Sequence, residues 1–190
     1  IWTTKGQFLA VTAVVMVGIC VYISMSTVYF NLSRSQEQFY RESNFAGYYF
    51  HVVRAPQQVI KQIEAVPGVS KATGRIQKDV PVLKENNHRA TARLVSYPLP
   101  LEGEINRPHL MTGRIFEKNP LSGEIEILTD PQYAVANNLY FNDTVTIVAE
   151  GKQVYLTMVG TAASPEFILM RKDAAAGTPD PKTFGVVMLP

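Results

Sequence analysis

From Phe8 to Phe30 the chain reads FLAVTAVVMVGICVYISMSTVYF, and no residue between Lys5 and Arg34 carries a formal charge. A helix rises about 1.5 Å per residue, so this run is long enough to cross a hydrocarbon core of roughly 30 Å. A cleavable secretory signal has an apolar core of about 7–15 residues and ends on small residues. This run is longer and closes on Val28-Tyr29-Phe30. A helix apolar on all sides, enclosed in a soluble core, is uncommon in a domain of this size. The reading is therefore a membrane span, with Trp2 and Phe8 at one end and Tyr29 and Phe30 at the other suited to the interfacial aromatic belts.

Beyond the span about 155 residues remain, enough for one domain or two small lobes with a true core. The chain has 18 Lys and Arg against 16 Asp and Glu, a net charge of +2, with the signs interspersed. A nucleic-acid partner would call for a clustered basic face, so none is expected. Cys20 is the single cysteine and lies inside the apolar run, which excludes an internal disulfide and leaves it a small filler facing lipid or a partner helix. An outer domain without cysteines fits a bacterial envelope at least as well as a disulfide-rich secreted class. Lys5 before the span and Arg34 and Arg41 after it give no positive-inside bias. The sequence begins at Ile1, not Met, and charge counting alone leaves the topology open.

Outward from the span, residues 33–44 hold helix formers such as Gln36, Glu37, Gln38, Arg41 and Glu42, with no Pro or Gly. They predict a helix continuing out of the bilayer to about Ser43, a stalk on which Phe39 and Tyr40 could meet a neighbouring helix. Gly47 ends it, and Tyr48-Tyr49-Phe50-His51-Val52-Val53 reads as a buried strand. Pro56 opens a helix carrying Val59, Ile60, Ile63 and Val66 at helical spacing, stopped by Pro67-Gly68. Strands follow at 69–76, 80–83 and 90–97, the last alternating Ala90, Ala92, Leu94 against Thr91, Arg93, Val95. This is a β-α-β unit with an added hairpin whose turn is Lys84-Glu85-Asn86-Asn87. Residues 98–123, rich in Pro, Gly and charge, read as irregular. Ile125–Leu128 is a short strand, and Thr129-Asp130-Pro131 caps a helix through about Leu139. Residues 144–149 and 154–159 form a hairpin around Glu150-Gly151-Lys152. Phe167–Met170 reads as a strand, Asp173–Asp180 as a loop, and Phe184–Leu189 as a strand. An apolar strand at the last residues suggests a chain cut from a longer protein whose next helix is missing.

No catalytic, cofactor-binding or metal-binding residue is assigned. His51 sits in the expected apolar strand as a core or edge histidine, His88 in a turn and His109 in a loop, and none has metal-ligand spacing to another. Glu102-Gly103-Glu104 and Glu124-Ile125-Glu126 place carboxylates two apart, which at strand spacing share a face and could hold a cation or an acid/base pair. Acidic turns and solvated faces are the commoner use of such pairs. No G-x-S-x-G elbow and no phosphate-loop motif is present. Asn31-Leu32-Ser33 and Asn142-Asp143-Thr144 match the glycosylation sequon, a pattern common by chance.

The order of segments carries a resemblance. A span running into an outer helix, then Asn44-Phe45-Ala46-Gly47-Tyr48-Tyr49-Phe50 and Arg54-Ala55-Pro56, resembles the start of an FtsX/MacB-type ABC transporter permease. Supporting marks are Val66-Pro67-Gly68-Val69, Gly74-Arg75-Ile76, Thr112-Gly113-Arg114 and Pro179-Asp180 leading to Phe184-Gly185-Val186-Val187. Helix Tyr133–Leu139, a hairpin and Val159-Gly160 are similar to the smaller lobe of that family's outer core. The resemblance implies an α+β protein: a transmembrane helix over 1–33, a helical stalk over 34–46, and a two-lobed extracytoplasmic domain. Its βαβ porter-like lobe would span 47–112, completed by 180–190 and by missing sequence, with a smaller α+β lobe inserted over 113–179. It further implies a cell-membrane protein, extracytoplasmic after about residue 33. The implied partners are the lipid bilayer, a separate cytosolic ABC ATPase subunit docking on later parts of the permease, and a second permease in a dimer. No cofactor and no catalytic residue is implied; the implied role is mechanotransmission, in which ATP-driven movement of the spans acts on lipid, lipoprotein, peptide or protein outside. Two other readings compete: a single-pass sensor with an outer ligand-binding domain, and an envelope structural or adaptor protein. Sequence beyond Pro190 separates them, since further apolar segments favour the permease and a coiled linker with a signalling pattern favours the sensor.

Overall fold

The computed structural model describes residues 3–84, 89–118, 120, 123–168, 178 and 180–190. The chain divides after Arg41 into a helical unit and a compact unit over Glu42–Pro190.

The first unit is one helix, α1, over Thr3–Glu42. Its 40 residues span about 60 Å, twice the thickness of a hydrocarbon core. It is long and apolar enough to cross a membrane, and none of its most apolar stretch is buried within the protein. Phe8 and Phe30 are 75% and 64% exposed, a surface that water would not tolerate over this length and that lipid would. Thr27 donates its hydroxyl to the carbonyl of Ile23 at 2.8 Å, which satisfies a polar group that lipid cannot. Past the apolar part the helix carries an i,i+4 pair, Arg41 with Glu37 at 2.8 Å.

The compact unit begins differently from expectation. Residues 48–53 form no strand and are exposed, Tyr48 at 86% and Phe50 at 80%. A run of aromatic and β-branched residues becomes a strand only against a partner, and among the described residues the ladders are all made after Gln77. The expected strand over 69–76 likewise forms no ladder, and its pairing to the sheet starts at Ile76, whose carbonyl accepts from Ser96 N. The β-α-β unit is therefore absent here. Between the two segments lies α2, Gln58–Glu64, shorter than expected and without a buried residue.

The remaining elements build one sheet. They are β1 (Gln77–Leu83), β2 (Arg89–Ser96), β3 (His109–Gly113), β4 (Ile125–Thr129), α3 (Pro131–Ala136), β5 (Thr144–Ala149), β6 (Lys152–Ala163) and β7 (Phe184–Leu189). Their order is β3-β6-β4-β7-β2-β1-β5, and β5 also pairs with β6. The sheet thus closes on itself as a six-stranded barrel, β6-β4-β7-β2-β1-β5, with β3 as an appendage. The closing contact is short: Val82 and Leu83 of β1 face Ile147 and Thr146 of β5. β2 runs parallel to β7 and β4 parallel to β6, while the other neighbours are antiparallel. One edge of β6 serves β5 over 152–157 and then β3 over 160–163, and its other edge serves β4.

Local sequence explains several elements. Asp130 caps α3 by accepting from Gln132 N at 2.6 Å and Tyr133 N at 3.2 Å, with Pro131 at the first helical position. The helix ends at Ala136, earlier than Leu139, because Asn137 and left-handed Asn138 turn the chain. Glu150 and Gly151 both have positive φ (52° and 77°), the geometry of the two-residue turn that joins β5 to β6. The turn between β1 and β2 at Glu85–Asn87 falls outside the described residues. β3 lies within the stretch read as irregular. Phe167 belongs to a 3-10 turn, Pro165–Phe167, so the strand expected to start there does not, and Met170 falls outside the described residues. Most of the expected loop over 173–180 also falls outside them.

Alternation sorts the core into two layers. Val82, Ala92, Val187, Ile127, Met158 and Ile147 come from the six barrel strands and fill the interior. Val95, Val186, Met188, Leu128 and Val159 point outward and are covered by Tyr97, Leu101 and Phe116 from the connections. β7 is consequently buried on both faces. β7 hydrogen-bonds to β2 on one side and to β4 on the other, so these three strands are continuous in one sheet.

Gly185 on β7 lies under the ring of Tyr133, where an added Cβ would come within 2.2 Å of the ring carbon. Packing α3 on the barrel needs that missing methyl. G185A is expected to destabilise the compact unit by about 1–3 kcal/mol through overpacking. An unaltered urea midpoint for G185A would contradict this packing.

Candidate functional site

The residues that follow α1 are fastened into the compact unit by a polar cluster. Arg107 N donates to the Ser43 carbonyl at 2.8 Å and Asn106 N to the Asn44 carbonyl at 3.1 Å. In return, Ala46 N donates to Asn106 Oδ1 at 2.8 Å and Asn44 Nδ2 to the Glu104 carbonyl at 3.2 Å. Asn106 adopts a positive φ of 50°, which suits Asn better than most residues and turns its amide toward this chain segment. Its Nδ2 donates to Tyr49 Oη at 2.7 Å and to Glu166 Oε2 at 3.3 Å.

Arg75 lies at the centre. It donates from Nη1 to Glu166 Oε2 at 3.1 Å and from Nη2 to the carbonyl of Ile105, and it sits 3.8 Å from Glu104 Oε1. Its guanidinium carbon is 4.0 Å from the centroid of the Tyr97 ring, a cation–π contact. Lys71 adds a second cation, reaching the Gly103 carbonyl at 2.8 Å and Glu104 Oε2 at 3.2 Å. The side chains of Arg75 and Glu104 are only 10% and 6% exposed. Burial pushes the Tyr97 phenol above its ordinary pKa, against a smaller opposite pull from Arg75 and a hydrogen bond with Ser164 Oγ at 3.3 Å. The two carboxylates match the two cations in formal charge, and the cluster joins five chain segments, around 43–49, 71–75, 97, 103–107 and 164–166. Among the described residues, Arg75 Nε and Glu104 Oε1 find no hydrogen-bond partner.

The carboxylate pairs noted in the sequence fall in different settings. Glu102 is exposed while Glu104 is buried, because both lie in a turn and do not share a strand face. Glu124 and Glu126 do meet, around an open cleft of about 390 Å³ also lined by Arg114, Asn142, Thr144, Thr157 and Val159. Glu126 accepts from both Arg114 terminal nitrogens and from Glu117 N at 2.9 Å, and Glu124 accepts from Thr157 Oγ1. The Arg114 hydrogen bond holds the Glu126 carboxyl below its usual range, against a smaller desolvation effect. His51 is exposed in irregular backbone, not buried in a strand, and His109 opens β3 with its side chain exposed. His88 falls outside the described residues. Among the described residues no group of three or more His, Cys, Asp or Glu could hold a metal ion. The Arg75 cluster escaped the sequence reading because its members are far apart in the chain; an arginine between Gly74 and apolar Ile76 was the local hint.

No family model matches the chain, and no curated protein matches it. The solved structures similar to it include two outer domains. The extracellular domain of the noncanonic ABC-type transporter YknZ from Gram-positive bacteria aligns with a TM-score of 0.41 and 14% identity, over 70% of this chain and 61% of that one. The periplasmic region of MacB from Actinobacillus actinomycetemcomitans aligns with a TM-score of 0.36 and 11% identity, over 67% of this chain and 62% of that one. The chain thus spans about 61% and 62% of those two chains.

Because Glu126 has a depressed pKa in the fold, the stability it contributes is present above the ordinary carboxylate range and is lost as pH falls through its folded value. Urea midpoints of the wild type are expected to drop more steeply than those of E126Q between about pH 5 and pH 3. Parallel slopes for the two proteins would contradict the assignment.

Proposed function

We propose that this chain is the N-terminal part of an ABC transporter permease subunit of the FtsX/MacB type. In this reading the outer domain couples ATP-driven movement of transmembrane helices to export, to extraction of lipid or lipoprotein, or to activation of a partner outside the membrane. The observation that carries it is the continuity of α1, whose apolar half and polar half form one helix with no Pro, ending where Ser43 and Asn44 are hydrogen-bonded to the 106–107 backbone. A helix bends sharply only at Pro, at Gly/Ser pairs, at bulges or at inserted groups, so residues 33–42 have the makings of a stiff lever. The motif order over residues 44–76 and 112–114 supports the same reading.

The partners in this reading are the bilayer, a separate cytosolic ATPase subunit reached through other parts of the permease, and a second permease. The two-lobed division also belongs to the proposal, with the exposed segment before Gln77 contributing to the porter-like lobe. A role as a membrane-anchored ligand sensor is the alternative, and it makes no demand for stiffness in residues 33–42.

The test is a Gly-Pro insertion after Gln38 in the complete complex. ATP hydrolysis is expected to continue while output at the outer face falls at least about tenfold, since a broken helix cannot pass on displacement. Retention of full output with the insertion would overturn the lever reading.

A further inference from the structure

We infer that residues 45–76 form a detachable strap, keyed to the barrel by Arg75, that can be released without unfolding the barrel. The inference stands on the packing alone and holds whichever function is correct.

The first ground is where the apolar core lies. The buried apolar residues of both core layers begin at Val80; none comes from the strap. α2 has no buried residue, and Tyr48, Phe50, Val52 and Val53 are all more than half exposed. The barrel closes through its own strands, so its ladder does not call on the strap for a partner.

The second ground is what holds the strap down. The attachments are polar: Ala46 and Tyr49 on Asn106, Lys71 on Gly103 and Glu104, Arg75 on Ile105, Glu104 and Glu166, and the exchange of hydrogen bonds between Ile76 and Ser96. Arg75 is the most deeply placed of the strap's charged groups and touches the 104–105 turn, the 3-10 turn at Glu166 and the Tyr97 ring at once. Within the strap, Glu64 accepts from Ala72 N at 3.2 Å and Gly74 lies against the tip of Ile60, so α2 and the 72–74 stretch travel together.

The third ground is energetic. An apolar clasp would resist opening, because release would expose surface that water rejects. A buried ion cluster behaves differently: its charges regain hydration when it opens, which repays much of the lost attraction. The open strap is a low-lying state of the folded molecule, of the kind from which moving elements are drawn.

Amide hydrogen exchange on the full chain in nanodiscs tests this, comparing the wild type with R75M and E166Q. The reporters are the amides of Ala46 and Ile76, whose partners Asn106 and Ser96 lie across the strap junction, and barrel amides of β2 and β7. In R75M the junction amides are expected to exchange about tenfold faster or more while the barrel amides keep their wild-type rates, with E166Q intermediate. Unchanged junction rates in both variants would overturn the role of Arg75. Junction and barrel rates rising together, or an R75M chain that fails to form the barrel, would overturn the independence of the strap.

Discussion

The compact unit depends on the closure of its sheet through β6. That strand offers one edge first to β5 and then to β3, and its other edge to β4. Two edges of a six-stranded sheet would otherwise face water as rows of unpaired backbone groups. The change of neighbour along β6 is possible because Gly160 lies at the register shift, where a Cβ would come within 2.4 Å of the Thr112 carbonyl. Closure gives the barrel an interior of small and branched side chains, and it leaves the outer faces of β2, β7 and β4 to be covered by Tyr97, Leu101 and Phe116. A sheet closed in this way completes its ladders without the chain before Gln77, which is attached by other means.

Those means are electrostatic. The chain leaving α1 is hydrogen-bonded to the 104–107 turn, and the chain returning to β1 is held by Arg75. Both approaches meet at the same turn, so residues 43–46 and the entry to the barrel share one polar junction. Neutral pairing of Arg75 and Lys71 with Glu104 and Glu166 makes the junction specific in geometry without making it a large contributor to stability.

What local sequence determines was legible. The apolar run of residues 8–30, the Asp130-Pro131 cap, the Glu150-Gly151 turn and the apolar strand from Phe184 each follow from a few adjacent residues, and each is present. The alternation of Ala90, Ala92 and Leu94 also pointed correctly to one face, the barrel interior. The misreadings share a cause. Residues 48–53 and 69–76 have strand composition, but a strand is a pairing, and their pairing partner is not local information. β3 was missed for the converse reason: Pro108 and Gly113 at its ends disguise a strand that exists because β6 offers it an edge. The Arg75 cluster gathers residues from positions 49 to 166, and no spacing rule reports that Gly74-Arg75-Ile76 will meet Glu166.

The account's central claim is that α1 crosses the membrane and the barrel stands outside it. In spheroplasts producing the full-length protein, the most direct measurement is labelling of a cysteine introduced at exposed Lys152 (K152C, with C20S to remove the native thiol) by a membrane-impermeant maleimide. The account predicts labelling with the cytoplasmic membrane intact, in a protein released from that membrane by detergent and not by high salt. Labelling only after the membrane is opened would contradict it.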